Sequence, residues 1–406
     1  MRIAMLTNNY KPFVGGVPIS IERLAEGLRN IGQEVYIFAP SYENTEEEAF
    51  VIRYGSRKKK LNGELTVPKF AALELEKKFE EMNFDLIHVH HPVISGYMGC
   101  YFGKKYKIPV IFTHHTRYDQ YLHYFKFFNR IEYTTGLNKE RMKSAAEKAV
   151  LFHNKIFTNQ CNMIFAPTPG IKTFLQEKGT LTEIEVVPTG LESKDYTYDD
   201  IHVKALRAKY SPGGQRLFCT VSRLEKEKNI SFLIEALKVY KDRNGGEFRF
   251  LIIGEGTQKD NLRARVEELG LNDQVVFLGS IPNREITSYY NACDLFLFAS
   301  TTETQGIVVL EAMAAELPVI AVDATGVRDV VINGVNGYMT EEDIYEWVDK
   351  LEVVSGNRPV YEAMKAEAKA QALKYNAADI AKTALKYYQN AVTLKEMERS
   401  YEKKTI

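Results

Sequence analysis

Short apolar runs alternate with stretches of helical periodicity along most of this chain, and that alternation admits few folds. Residues 3–6, 35–39, 87–90, 110–113 and 184–187 form a first series of strand-like runs. A polar stretch, 192–214, separates it from a second series at 217–221, 248–253, 275–278, 295–298 and 319–322. Strand, helix and strand in succession build a parallel sheet covered on both faces. The expected fold class is therefore α/β, with two Rossmann-like domains, 1–190 and 191–379, hinged near Gly190 and facing each other across a cleft. After Gly337 the pattern reads as helical, with helices near 341–353, 361–374 and 377–402. The last of these, taken as about 380–406, is expected to cross back to the first domain, and only 398–406 to fray.

Bulk properties remove several function classes. At 406 residues the chain has room for two separate cores. Its 53 basic and 53 acidic residues cancel, so no global field points to nucleic acid. Residues 1–7 read as a first strand and not as a secretory leader. No apolar run approaches the roughly 18 residues of a membrane span. Cys100, Cys161, Cys219 and Cys293 are widely spaced and show no metal or redox pattern. Cys219 and Cys293 lie in or beside strands and are expected to be buried free thiols, which suits a reducing cytoplasm.

Candidate site residues fall at strand ends, where open α/β sheets bind ligands. Gly15 and Gly16 close a loop, 8–16, before a helix whose apolar face is Val17, Ile21, Leu24, Ala25, Leu28 and Ile31, with Gly32 as its stop. Adjacent glycines let backbone approach a phosphate or sugar, though an ordinary strand-to-helix turn looks the same. His115 ends another strand and can accept a proton or hold a sugar hydroxyl. With His88, His90, His91 and His114 it resembles a metal cluster, but no carboxylate array accompanies it. One functional histidine, with the others structural or lining the cleft, is the expectation. Arg223 and Lys228 suit a diphosphate; in isolation the interleaved Glu225 and Glu227 would read as a solvated charged loop. Gly279 and Ile281 mark a turn whose backbone could read a base edge, and Gly254 to Gly256 form a similar, non-specific turn.

The most telling run is Glu303, Thr304, Gln305, Gly306, Ile307 and on to Glu311. It places two carboxylates around a glycine after the strand at 295–298, and 311–318 reads as a helix. Bare amides at a helix start attract phosphate, and flanking acids can hold hydroxyls. Sugar, diphosphate and ribose have that chemical outline.

These positions together resemble the retaining glycosyltransferases of family 4, which have the GT-B fold. The likeness spans nearly the whole chain, and Glu303 with Glu311 matches the family's E-x7-E motif. It implies that Glu303 contacts the donor sugar, Glu311 the ribose, Arg223 and Lys228 the diphosphate, and His115 the sugar near the reacting carbon. Gly15, Gly16, Gly279, Ile281, Gln305, Gly306 and Ile307 would complete donor binding. The chain departs from the family where Thr325 and Gly326 replace Gly-Gly and where Asn229 follows Lys228. Residues 116–124 and 302–306 are similar to bacterial diacylglycerol glucosyltransferases, which implies UDP-glucose as donor and a lipid acceptor. A Tyr/Phe/Lys/Arg-rich segment, 118–157, and the basic run 57–60 would meet an anionic membrane surface peripherally, at the inner face of the cell membrane. No metal or cofactor is implied, since Arg223, Lys228 and a helix at 307–315 would take up the leaving charge. A sugar-nucleotide epimerase, a sugar-nucleotide binder without activity, and a transferase with another acceptor are the rival readings.

Overall fold

The computed structural model describes residues 1–404 apart from 14, 43–46, 62–64, 69 and 121–136. It divides into two compact units, one comprising Met1–Gly190 with Ala377–Ile406 and the other Leu191–Asn376. In the first, strands β1 (Arg2–Leu6), β2 (Glu34–Pro40) and β3 (Val51–Tyr54) are followed by an antiparallel pair, β4 (Ser56–Leu61) and β5 (Leu65–Pro68). Then come β6 (Leu86–Val89), β7 (Val110–Thr113), β8 (Met163–Ala166) and β9 (Ile184–Val186). Seven of these strands make one parallel sheet in the order β3-β2-β1-β6-β7-β8-β9.

The sequence explains the layers. β6, β7 and β8 are buried at every residue, as strands sandwiched between helices must be. Phe38, Phe79, Phe84, Phe102 and Phe112 fill one side of the sheet. On the other side Ile3, Met5, Ile21 and Leu28 pack with Ala381, Ala384 and Tyr388 of the helix Ala377–Lys404. That helix lies so close to the helix Gly16–Asn30 that a Cβ on Gly27 would come within 2.8 Å of the Ala381 Cβ.

The second unit repeats the plan with β10 (Arg216–Val221), β11 (Phe248–Ile253), β12 (Val275–Gly279), β13 (Leu295–Phe298), β14 (Val319–Val322) and β15 (Gly337–Thr340). Their parallel order is β12-β11-β10-β13-β14-β15. Trp347, Phe232 and Phe250 anchor one face, and Leu310, Met313 and Phe296 the other.

Several expectations need correction. The polar stretch 192–214 contains a helix, Asp200–Tyr210, whose N-terminus is capped by the Asp199 carboxylate accepting the Ile201 N–H at 2.9 Å. The chain after Gly337 is not helical at once, because Gly337–Thr340 joins β14 as an edge strand. The helix read both as 311–318 and as 307–315 is Ile307–Ala314, because Gly306 starts it in the left-handed region with φ 70°. The final helix runs from Ala377 to Lys404. Strands β3, β4, β5 and β8 lie outside the strand-like runs expected from the sequence.

In both sheets the strand order reverses beside the first strand. β1 lies between β2 and β6, and β10 between β11 and β13. Crevices beyond the carboxyl ends of such switch points are where α/β sheets hold ligands.

Candidate active site

In the second unit, the loops after β10 and β13 meet at that switch point. The Lys228 ammonium donates to Glu303 Oε1 at 2.6 Å, with the Ser300 hydroxyl 3.4 Å away. Both side chains are mostly buried, with 12% and 16% of their surface exposed. Burial pushes the Glu303 carboxyl up. The Lys228 charge and hydrogen bond, the Ser300 hydroxyl and the Arg223 charge outweigh that, so its pKa lies below the usual carboxylate range. Glu303 is therefore an anion held in place by its neighbour.

Arg223 is less enclosed. Its guanidinium donates to Glu227 Oε1 at 3.1 Å and keeps 42% of its side-chain surface exposed. The Thr301 N–H donates to the Glu227 carbonyl at 3.4 Å, so one residue braces the arginine and ties the two loops. Gln305 is buried at 3% exposure, and Gly306 accepts the Val309 N–H at 2.9 Å at the start of the helix Ile307–Ala314. Ile307 is that helix's first residue, and Glu311, one turn on, is 7% exposed. Such a start concentrates partial positive charge beside the loop carrying Glu303.

The neighbouring loops are stitched along the same rim. Leu224 N–H donates to Glu255 O at 2.8 Å, and Gly254 N–H donates to Gly279 O, also at 2.8 Å. Gly279 thus closes β12 against the turn after β11, and Ile281 packs half-buried on the core below. Gly326 N–H donates to Glu303 O at 3.1 Å. A Cβ on Gly326 would strike the backbone of Glu303, Thr304 and Gln305, so a glycine is required beneath the acidic loop.

In the first unit, Gly15 ends the loop after β1 and precedes the helix Gly16–Asn30, with Phe13 packed where a Gly15 Cβ would sit. Asn8 N–H donates to His91 Nδ1 at 3.1 Å, joining that loop to the one after β6. His90 Nδ1 lies 2.9 Å from His115 Nε2, joining the loops after β6 and β7. His88 bridges the Tyr388 hydroxyl and the Thr113 hydroxyl, at 2.7 Å each. Burial holds all these imidazoles below their ordinary pKa, His88 and His91 at about 3 and His114 at about 4. His115 is lowered by burial first and then by its imidazole neighbours His91, His88 and His114. His88 pairs with hydroxyls and His90 with His115, and among the described residues no group of three His, Cys, Asp or Glu side chains could hold a metal ion.

The structure thus brings Lys228, Arg223, Glu303, Gln305, Gly306 and Ile307 to one rim of the second unit. Gly15 and His115 lie in loops of the first unit, and Gly16 opens the helix Gly16–Asn30 instead of closing the loop 8–16. A profile described as Glycosyltransferase Family 4 matches residues 14–194, and one described as Glycosyl transferases group 1 matches 203–371. The chain is 32% identical to the alpha-monoglucosyldiacylglycerol synthase of Acholeplasma laidlawii, over 79% of this chain and 80% of that one. It belongs to glycosyltransferase family 4. The glycosyltransferase is also 30% identical to the Streptococcus pneumoniae protein of the same name, over 79% and 71% of the two chains. Its fold is that of sucrose-phosphate synthase from Thermosynechococcus elongatus (TM-score 0.77, 18% identity, 97% and 100% covered). It is likewise that of Anabaena HepE, solved with UDP (TM-score 0.74, 19% identity, 96% and 100% covered). The glycosyltransferase therefore has the GT-B fold, built from two parallel-sheet α/β domains.

Three contributors in the glycosyltransferase escaped sequence reading. Glu227 looked like part of a charged loop until its bond to Arg223 was seen, although the i,i+4 spacing of the two was visible. Ser300 and Gly326 act through tertiary contact, and no local spacing signals them.

Proposed function

We propose that this glycosyltransferase moves glucose from UDP-glucose to a hydroxyl of diacylglycerol with retention of anomeric configuration and without a metal. The Lys228–Glu303 pair beside an amide-rich helix start carries this reading. It supplies a cation for the diphosphate and an anion for sugar hydroxyls within one crevice. In the reaction the bond from the anomeric carbon to the UDP oxygen breaks and the bond from that carbon to the acceptor oxygen forms. The acceptor proton passes to the departing phosphate. Arg223, Lys228 and the amides at Gly306 and Ile307 take up the charge that grows on UDP, so side chains serve where other enzymes use a divalent ion. Glu303 and His115 orient the sugar, Glu311 holds the ribose, and Gly15 with Gly16 line the donor. The domain comprising 1–190 and the last helix would take the acceptor, and that comprising 191–376 the nucleotide.

The names of the relatives at 32% and 30% identity support the lipid acceptor. No described helix is long and apolar enough to cross a membrane. Peripheral contact at the inner membrane face would suffice. Met142, Phe152 and Ile156 stand exposed on the helix Leu137–Thr158, among the exposed Lys143, Lys148 and Lys155. Of the remaining residues assigned to the membrane, 121–136 lie outside the described residues, as do the side chains of 57–60 on β4.

The test is incubation of labelled UDP-glucose with vesicles of diacylglycerol and anionic phospholipid, with and without chelator. An α-glucosyl lipid formed equally in both, with UDP released only when diacylglycerol is present, is the expected result. A new UDP-sugar would identify an epimerase, and glucosylation of soluble sugars alone would discard the lipid acceptor.

A further inference from the structure

His114 is fully enclosed, at 0% exposure, and neither of its ring nitrogens has a hydrogen-bond partner. Its backbone is fixed just beyond β7. The His114 N–H donates to Phe165 O at 3.0 Å, and the His115 N–H donates to Thr113 O at 3.1 Å, so the chain turns at this residue. Its ring stands perpendicular to that of Phe112, with centroids 5.9 Å apart, and 6.4 Å from the ring of Phe174 on the helix Pro169–Glu177. Phe174 carries a second group. The Arg117 guanidinium lies over it at 3.8 Å and grips Asp119, with Nε 3.0 Å from Oδ1 and Nη2 2.7 Å from Oδ2. Neither bond uses Nη1. The Gln120 N–H donates to Arg117 O at 2.8 Å, closing the turn that sets the two side chains together.

The chemistry of this cluster selects its ligand. Burial holds the imidazole neutral, with a pKa of about 4, while the Asp119 and Arg117 charges act on it in opposite directions. A neutral imidazole still carries one N–H and one bare nitrogen, and native structures rarely leave a buried N–H without a hydrogen-bond acceptor. A hydroxyl, which both donates and accepts, suits either nitrogen. An anion does not fit, because the Arg117 charge is already matched by Asp119 in a bidentate pair. Arg117 and Asp119 keep 13% and 12% of their side-chain surface exposed, so the pair forms the open side of the cluster and His114 its dry side. Phe112 and Phe174 supply apolar walls for a carbon skeleton.

We propose that His114, Arg117 and Asp119 form the subsite for the glycosyl acceptor, holding the hydroxyls of an uncharged glycerol end and rejecting phosphorylated head groups. The preference for hydroxyls over anions follows from the cluster alone. Its use for the glycosyl acceptor rests on the function proposed above. The hydroxyl passes the Arg117–Asp119 pair to reach the ring, and Arg117 Nη1 takes a second oxygen. His114 is already stripped of water, so the bond it forms costs no further desolvation on the protein side. A site of this kind discriminates strongly against molecules that lack the hydroxyl.

The test pairs kinetics with stability in the full chain. His114→Leu roughly keeps the volume and removes both nitrogens. Its urea midpoint should equal or exceed the parent's, because no bond is lost, whereas KM for diacylglycerol should rise about tenfold or more with UDP affinity unchanged. His114→Gln, which keeps a donor and an acceptor group, should recover most of that KM. Asp119→Asn leaves the Arg117 charge unmatched, so glycerol 3-phosphate should inhibit this variant and not the parent. An unchanged KM in His114→Leu would overturn the proposal. So would a lower midpoint or failure to fold, since the nitrogens would then be bonded within the protein. In the parent labelled with 13C-histidine, the His114 ring signals should move on titration with monooctanoylglycerol and stay in place with inorganic phosphate, and any other pattern would overturn it too. That titration needs neither donor nor turnover. Absence of transfer to diacylglycerol in the parent would therefore count against the proposed function and leave the titration to decide the subsite.

Discussion

The Lys228 ammonium and the Glu303 carboxylate lie 2.6 Å apart although 75 residues separate them in the chain. Each keeps the other usable. The cation holds the acid ionised despite its burial, and the acid holds the cation where a diphosphate would arrive. Lys228→Ala should therefore do two things. It should lower kcat by about 100-fold or more through the lost transition-state charge. It should also move the acidic limb of the kcat/KM profile to higher pH, because desolvation of Glu303 would be opposed mainly by Arg223. Initial rates from about pH 5 to 8 would show both.

Glu311 is 7% exposed on the first helix beyond the acidic loop, in the position assigned to the ribose. Glu311→Ala should raise the Kd for UDP about tenfold to a hundredfold, the loss expected for a hydrogen bond to a charged group. Calorimetric titration with UDP alone would measure it, and unchanged affinity would remove the ribose contact.

Gly326→Ala tests the support under Glu303. The added Cβ would lie 2.4 Å from the Thr304 carbonyl carbon and 2.5 Å from the Gln305 nitrogen. Backbone must shift. A stability loss of about 1–3 kcal/mol is expected, with kcat falling about 10- to 100-fold as the loop is displaced. Denaturant melts paired with rates would detect these, and parent-like rates would show the loop to be indifferent to Gly326.

Asn229 occupies the left-handed region, with φ 51° and ψ 38°, at the start of the helix Ile230–Asn244. Glycine is natural there, and asparagine tolerates it better than most residues. Asn229→Ala should destabilise by about 1 kcal/mol and Asn229→Gly by less, measured in urea. Equal effects would mean that the bond from Asn229 to Glu342 matters more than the backbone.

Acid should unfold the first unit before the second. His88, His90, His91 and His114 are at most 7% exposed, and burial depresses each pKa, to about 3 for His88 and His91 and about 4 for His114. The unfolded chain takes up these protons near pH 6.5 and the folded chain does not, so stability falls as pH drops below that value. The loss continues until each folded pKa is reached, at up to about 1.4 kcal/mol per pH unit for each group. Hydrogen exchange resolved by segment, at falling pH, should show protection lost first around β6 and β7.

Much of this was legible in the sequence for one reason: parallel strands buried on both faces are unbroken apolar runs, and β1, β2, β10, β11 and β13 announce themselves so. The exceptions are local. β15 contains a glycine that lies against the Val319 carbonyl, and so looks like a turn. The departure at Asn229 seemed inconsequential until its backbone angles explained why a glycine is common there. The one at Gly326 seemed so too, yet that glycine alone fits beneath the acidic loop. Glu303, Lys228 and Arg223 stood out as charges at strand ends, whereas their braces depend on contacts between loops far apart in sequence.

The helix Ala377–Lys404 completes the first unit, yet it is synthesised after the whole of the second. During translation one face of the seven-stranded sheet waits for Ala381, Ala384 and Tyr388 while residues 191–376 emerge. At ribosomal speeds that interval is about 10–40 s. Until then Phe165 and His88 lack the Tyr388 ring that covers them and the helix Gly16–Asn30 lacks its neighbour at Gly27, which makes a carboxyl-terminal truncation a lesion of the opposite end of the polypeptide.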